Sequence, residues 1–147
     1  MTSLMTGRPP VAVRAAAGLW IAAVALGAVE TVIVVGSAQA GDNPLAGVLF
    51  RCAVYAAAIL TTLRMRAGRG WARLALALVL GIVGTLSLVV EPISWLAGGN
   101  SLSAAAADAD LTWWAIAAVR ALHVAAVWAA VPLMFTGQAN AYFKRQR

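Results

Sequence analysis

The sequence predicts an all-α membrane protein, four transmembrane helices in an antiparallel up-down bundle with both termini inside, on three observations. Of its 147 residues 63% are apolar and 11% charged, where a soluble domain carries about 45–50% and about 25%. The apolar residues gather in four runs of about 20, the length that crosses about 30 Å of hydrocarbon at about 1.5 Å per residue. The charges outside those runs are sorted by sign. Disorder is excluded, because it needs low hydrophobicity and high charge.

The first span runs from about residue 14 to 36 and the second from about 45 to 63. The third covers about 71 to 93 and the fourth about 111 to 135, the whole chain forming one transmembrane domain. Breakers fill the gaps: Gly41-Asp42-Asn43-Pro44, Gly68-Arg69-Gly70 and Gly98-Gly99-Asn100. Ala38-Gln39-Ala40 resembles a signal-peptidase site. A signal h-region is about 7–15 residues, however, and this run is longer and contains Glu30, so the first span is expected to be retained.

Nine basic residues lie outside the spans: Arg8, Arg14, Arg64, Arg66, Arg69, Arg73, Lys144, Arg145 and Arg147. They occupy the N-terminus, the second loop and the tail. The first and third loops hold Asp42, Asp108 and Asp110 and no base. Short cytoplasmic loops collect Lys and Arg, so both termini and the second loop are expected in the cytoplasm of a cell that inserts the chain in its plasma membrane. The net charge of +6 is thus a topology signal and an attraction to anionic headgroups; no nucleic-acid partner is expected. Trp95, Trp113 and Trp114 fall at outer ends, and Trp71, Tyr142 and Phe143 at inner ones, where amphipathic rings favour headgroup level. Trp20 and Trp128 lie deeper and are expected to pack.

Charges inside a span are costly and count by default as site candidates. There are four, one per helix: Glu30, Arg51, Glu91 and Arg120. Glu30 and Arg51 each sit about 9 Å, and Arg120 about 13 Å, below the outer ends of their runs; Glu91 is near the boundary. Glu30 shares a stripe with Ala23 and Gly27, Arg51 with Gly47 and Tyr55, and Glu91 with Gly84 and Ser87. Small residues permit close helix approach, so an interior polar cluster of these four charges is expected, with His123 one turn below Arg120. Arg51 is the expected partner of Glu30, being at the same depth on the adjoining helix. Such a cluster serves either as a register pin between helices or as a ligand site, or its charges, Glu91 first among them, only snorkel toward the outer interface. Pro92 disfavours helix at Glu91, and Pro132 marks a kink or the end of the fourth span.

Much chemistry is excluded. One cysteine forbids an internal disulfide, a redox pair or a thiolate metal site, and Cys52 reads as a small buried hydrophobe. One histidine forbids bis-histidine haem and the HExxH zinc motif. No cofactor, metal or catalytic residue is expected. Gly81-Ile-Val-Gly84 and the Ala117, Ala121, Ala125, Ala129 ladder are candidates for helix contact. The third loop, 97 to 110, is expected to be the most mobile stretch between spans, with one helical turn at Ala104–Ala107.

The segment Ala67-Gly-Arg-Gly-Trp-Ala-Arg73 and the tail Gln138-Ala-Asn-Ala-Tyr-Phe-Lys-Arg145 resemble those of small four-span actinobacterial integral membrane proteins of unknown function. That resemblance implies a plasma-membrane location and carries no functional residue. The chain is also similar in layout to small multidrug resistance transporters, with Glu30 as the first-span acid. Arg51, Arg120 and the strong inside-positive bias depart from that pattern. Two functions follow as expectations. One is a non-enzymatic accessory, assembly or structural component of a membrane complex, with a membrane protein or a second copy as partner. The other is a small transporter or lipid- or ligand-binding protein using Glu30 with Arg51 or Arg120.

Overall fold

The computed structural model describes residues 8–37 and 43–146. Every regular element among them is helical: α1 (Val11–Gly36), α2 (Pro44–Arg66), α3 (Gly70–Ala97), α4 (Leu102–Ala107), α5 (Leu111–Met134) and α6 (Gly137–Arg145). Helices α1, α2, α3 and α5, of 26, 23, 28 and 24 residues, are long and apolar enough to cross a membrane. Ala38-Gln39-Ala40, Asp42 and Arg147 lie outside the described residues.

Local chemistry accounts for the helix starts. Asn43, Asp110 and Thr136 cap α2, α5 and α6, accepting from the amides of Ala46, Trp113 and Ala139 at 3.2, 2.8 and 3.4 Å. Pro44 at the first turn of α2 gives up an amide that has no helical partner anyway. Helix α1 starts at Val11, three residues before Arg14, because Pro10 supplies the extended N-cap backbone. Helix α2 reaches Arg66, three residues past the expected end.

The third span departs furthest from expectation. It continues through Pro92 to Ala97 and ends at Gly98-Gly99, where Gly99 has φ +86°. Proline removes a single helical hydrogen bond, a loss that membrane helices absorb by local adjustment. Upstream, Leu76–Gly84 is wound as a π-helix. The expected turn in the third loop is the short helix α4, capped by Ser101.

Helix α1 lies at the centre of the packing. It runs opposite to α5: Trp20 Nε1 donates to Met134 Sδ at 3.3 Å near one end, and Glu30 meets Arg120 near the other. Against α2, Tyr55 closes on Gly27, where an added Cβ would stand 2.9 Å from the phenol oxygen. The same hydroxyl lies 3.0 Å from Thr31 Oγ1. Helix α3 approaches α5 through Gly81, 3.4 Å from Val131 at its Cβ position.

The core gathers at the end that carries α6. Val13, Trp20, Met65, Leu76, Met134 and Phe143 are fully enclosed there, whereas Thr85–Ala97 and α4 contain no buried residue. Three packing expectations are corrected. Trp20 is buried, but Trp128 is 58% exposed. Cys52 is exposed, because α2 buries only Ala58, Thr62 and Met65. The alanine ladder turns Ala121, Ala125 and Ala129 outward. A four-residue repeat drifts around a helix of 3.6 residues per turn; the stripe on the core is instead Val127, Ala130 and Met134.

Candidate functional site

The five residues singled out by sequence separate into a pair, a fringe and an outlier. Glu30, on the inner face of α1, is 8% exposed. Arg120 on α5 donates from Nε to Glu30 Oε1 at 2.7 Å. That distance is typical of a charge-assisted hydrogen bond. Glu91 is peripheral: its Oε2 lies 3.9 Å from Arg120 Nη1, and its side chain is 83% exposed. An ion pair so long and so open contributes little.

Arg51 does not join. It is exposed on α2 and makes no ion pair among the described residues. The expected Glu30–Arg51 pair is therefore replaced by Glu30–Arg120. The physical reason is packing: Tyr55, one turn further along α2, takes the contact with α1 at Gly27. Helix α5 meanwhile lies against the Glu30 face. His123 is half-buried beside the pair, and its Nδ1 has no hydrogen-bond partner among the described residues.

Chemically, the pair is closed. An arginine guanidinium is a permanent cation, and Arg120 uses its Nε–H on Glu30 Oε1. No group of three or more His, Cys, Asp or Glu among the described residues is placed to hold a metal ion.

A second polar constellation, at the opposite end of the helices, was not anticipated. Arg73 reads in the sequence as one more topology charge. In the structure its Nη1 donates to the Met134 carbonyl at 3.3 Å and to Asn140 Oδ1. Its guanidinium carbon sits 5.1 Å from the Phe135 ring and 4.7 Å from that of Phe143. Met134 is the last residue of α5, so the cation also faces the negative end of that helix. Asn140 in turn donates to the Phe135 carbonyl at 2.9 Å.

Helix α6 brings these groups together. It buries Ala139, Tyr142 and Phe143, an i, i+3, i+4 stripe visible in the sequence as an amphipathic pattern. Tyr142 donates its hydroxyl to the carbonyl of Arg66, the last residue of α2, at 2.7 Å. Burial pushes the Tyr142 phenol above its ordinary range. Gln146 then packs over Gly68, whose φ of +83° and lack of a Cβ the turn requires; a Cβ there would lie 2.6 Å from Gln146 Cγ. The tail thus locks the ends of α2 and α5.

This end also holds an open cavity of about 650 Å³ between α1 and α2, lined by Arg14, Gly18, Ile21, Thr62, Leu63 and Arg66 among others. A smaller one of about 290 Å³ adjoins it, lined by Arg8, Pro9, Arg14 and Arg66. Glu30 is nine residues beyond Ile21 on α1, about 13 Å away along the axis. No family model, curated protein or solved structure matches the chain, so its site is read from its own residues.

Proposed function

We propose that the chain is a non-enzymatic integral component of a membrane complex. It forms an up-down four-span bundle in the plasma membrane with both termini and the α2–α3 turn in the cytoplasm. The distribution of charge supports that topology: Arg8, Arg14, Arg64, Arg66, Arg69, Arg73, Lys144 and Arg145 belong to the end that carries α6, and Asp108 and Asp110 to the other.

One observation carries the functional reading. Arg51 is a guanidinium inside a helix long and apolar enough to span, with no ion pair among the described residues, beside the exposed apolar residues Leu45, Leu49 and Phe50. An intramembrane charge facing lipid is expensive. An acidic group on an adjoining membrane helix removes that cost. Glu30 is already committed to Arg120, which supports a pin between helices over a titrating transport site.

Cys52, exposed next to Arg51, makes the test direct. Oxidative or bismaleimide cross-linking in native membranes is expected to trap Cys52 in a product of defined mass, either a second copy or another membrane protein. Arg51→Leu is expected to abolish that product while the protein remains folded. A protein that stays monomeric and uncross-linked, with or without Arg51, overturns the reading. For topology, in a Cys52→Ser background, Ser101→Cys is expected to react with an impermeant maleimide from outside and Gln146→Cys is not; the reverse pattern overturns it.

A further inference from the structure

We propose that the groove between α1 and α2 seats one anionic phospholipid, with an acyl chain along Gly18, Ile21 and Leu63 and the phosphodiester between Arg14 and Arg66. This rests on the membrane reading above and is independent of the Arg51 partner.

Four observations converge on that occupant. The cavity of about 650 Å³ has apolar walls from Val11, Ala15, Ile21 and Leu63, and two guanidiniums at one end. Arg14 and Arg66 line both this cavity and the adjoining one that contains Arg8, and no acid lines either among the described residues. Neither forms an ion pair among the described residues. Three cations therefore share a small space without a counter-charge, a repulsion that a bound phosphodiester relieves.

The helix ends add to this. Arg14 lies in the first turn of α1, which carries no acidic residue. A cation near a helix N-terminus opposes the dipole, whereas an anion there is favoured. Thr62 supplies the independent sign of a ligand. It lines the groove, is 1% exposed, and its hydroxyl has no hydrogen-bond partner among the described residues. Buried hydroxyls are normally satisfied. Thr62 stands one turn, about 6 Å, from Arg66 on α2. An ester carbonyl of a glycerolipid lies at a comparable depth below its phosphate.

Gly18 identifies the groove as space kept open. An added Cβ there would meet nothing within 4 Å. Gly18→Leu is therefore expected to place its side chain in the acyl track, since its Cβ has room there.

The experiment uses the full chain in nanodiscs and native mass spectrometry, with dioleoylphosphatidylglycerol and dioleoylphosphatidylcholine as probes. Wild type is expected to retain one phosphatidylglycerol and to prefer it about thirtyfold, from about 1 kcal/mol for each of the two arginines at the headgroup. Gly18→Leu is expected to lose the retained lipid of either class. Arg14→Gln with Arg66→Gln is expected to lose the preference while keeping the chain-dependent retention. Inorganic phosphate at millimolar concentration is expected not to compete. Equal retention of the two lipids by wild type overturns the proposal, as does unchanged retention in Gly18→Leu. Displacement by inorganic phosphate overturns it in favour of a simple anion site, and loss of a dimer in Gly18→Leu in favour of a second copy in the groove. Failure of the chain to enter the nanodisc at all would instead refute the membrane reading.

Discussion

The two ends of the helices are very differently built. At the end that carries α6, Trp20, Leu76, Met134 and Phe143 are sealed from solvent, and Arg73 and Tyr142 bond the last carbonyls of α5 and α2. At the other end, Val32, Phe50 and Leu111 are 72, 71 and 86% exposed. There the polar links between spans are the Glu30–Arg120 pair, its long contact to Glu91 and the Thr31–Tyr55 hydrogen bond. In a bilayer, lipid tails are as apolar as leucine, so helices gain little by hiding apolar area from lipid. Cohesion comes from small residues that permit close approach and from polar groups with nowhere else to bond. The tail end has more of both.

That contrast is most easily broken at Arg73. Arg73→Ala removes charged hydrogen bonds of about 1.5–3 kcal/mol each and two cation–π contacts, and a total loss of about 3–5 kcal/mol is expected. Unfolding of the detergent-solubilised protein in an SDS titration measures it. Arg73→Lys is expected to recover less than half, because a compact, strongly hydrated ammonium lacks the planar guanidinium that lies on the Phe135 and Phe143 rings. If Glu30→Leu proves more damaging than Arg73→Ala, the ranking of the two ends is inverted.

At the far end, Glu30→Leu strands the Arg120 guanidinium. A fully buried ion pair broken on one side costs about 3–5 kcal/mol, and the 31% exposure of Arg120 reduces this to about 2–3. The double variant Glu30→Leu/Arg120→Leu is expected to regain most of that loss. Glu30→Leu/Arg51→Leu is expected to be no better than Glu30→Leu alone. Equal rescue by either arginine would contradict the pairing.

Tyr142→Phe tests the tail at higher resolution, with an expected cost of about 1 kcal/mol for the lost hydrogen bond to Arg66. Its pH dependence is the sharper readout. Because burial raises the folded phenol, the neutral hydroxyl contributes fully below the ordinary value of about 10 and is lost as pH climbs through the folded value. Unfolding midpoints at pH 9 and 11 are expected to separate for wild type by more than for Tyr142→Phe. Identical shifts in both would remove the phenol from the account.

The smallest effects belong to the outward faces. Leu111→Ala and Trp128→Leu are expected to change stability by less than about 0.5 kcal/mol, since both side chains face outward at 86 and 58% exposure. A loss of more than 1 kcal/mol at Trp128, in detergent and without a partner, would mean that α5 buries a second face.

The division between sequence and structure follows from these residues. Four segments long and apolar enough to span were legible because length and composition alone decide whether a segment suits hydrocarbon. The helical character of the third loop was legible in its alanine run, whereas Asn43 and Asp110 read as a breaker and a loop acid and proved to be caps. The amphipathic stripe of α6 was present in the spacing of Ala139, Tyr142 and Phe143, although those rings read first as interfacial aromatics.

What the sequence by itself determined, then, was which segments are helices suited to a membrane and how the loop charges sort by sign. Tertiary structure alone decided which face of each helix turns inward. That is why Glu30 meets Arg120 and leaves Arg51 outside, why Trp20 is buried while Trp128 is exposed, and why Arg73 serves as a clasp. The physical reason is that a helix apolar all round has no amphipathic period to point its face. Orientation is then set by side-chain fit, such as Tyr55 against Gly27, and by polar partners from distant parts of the chain.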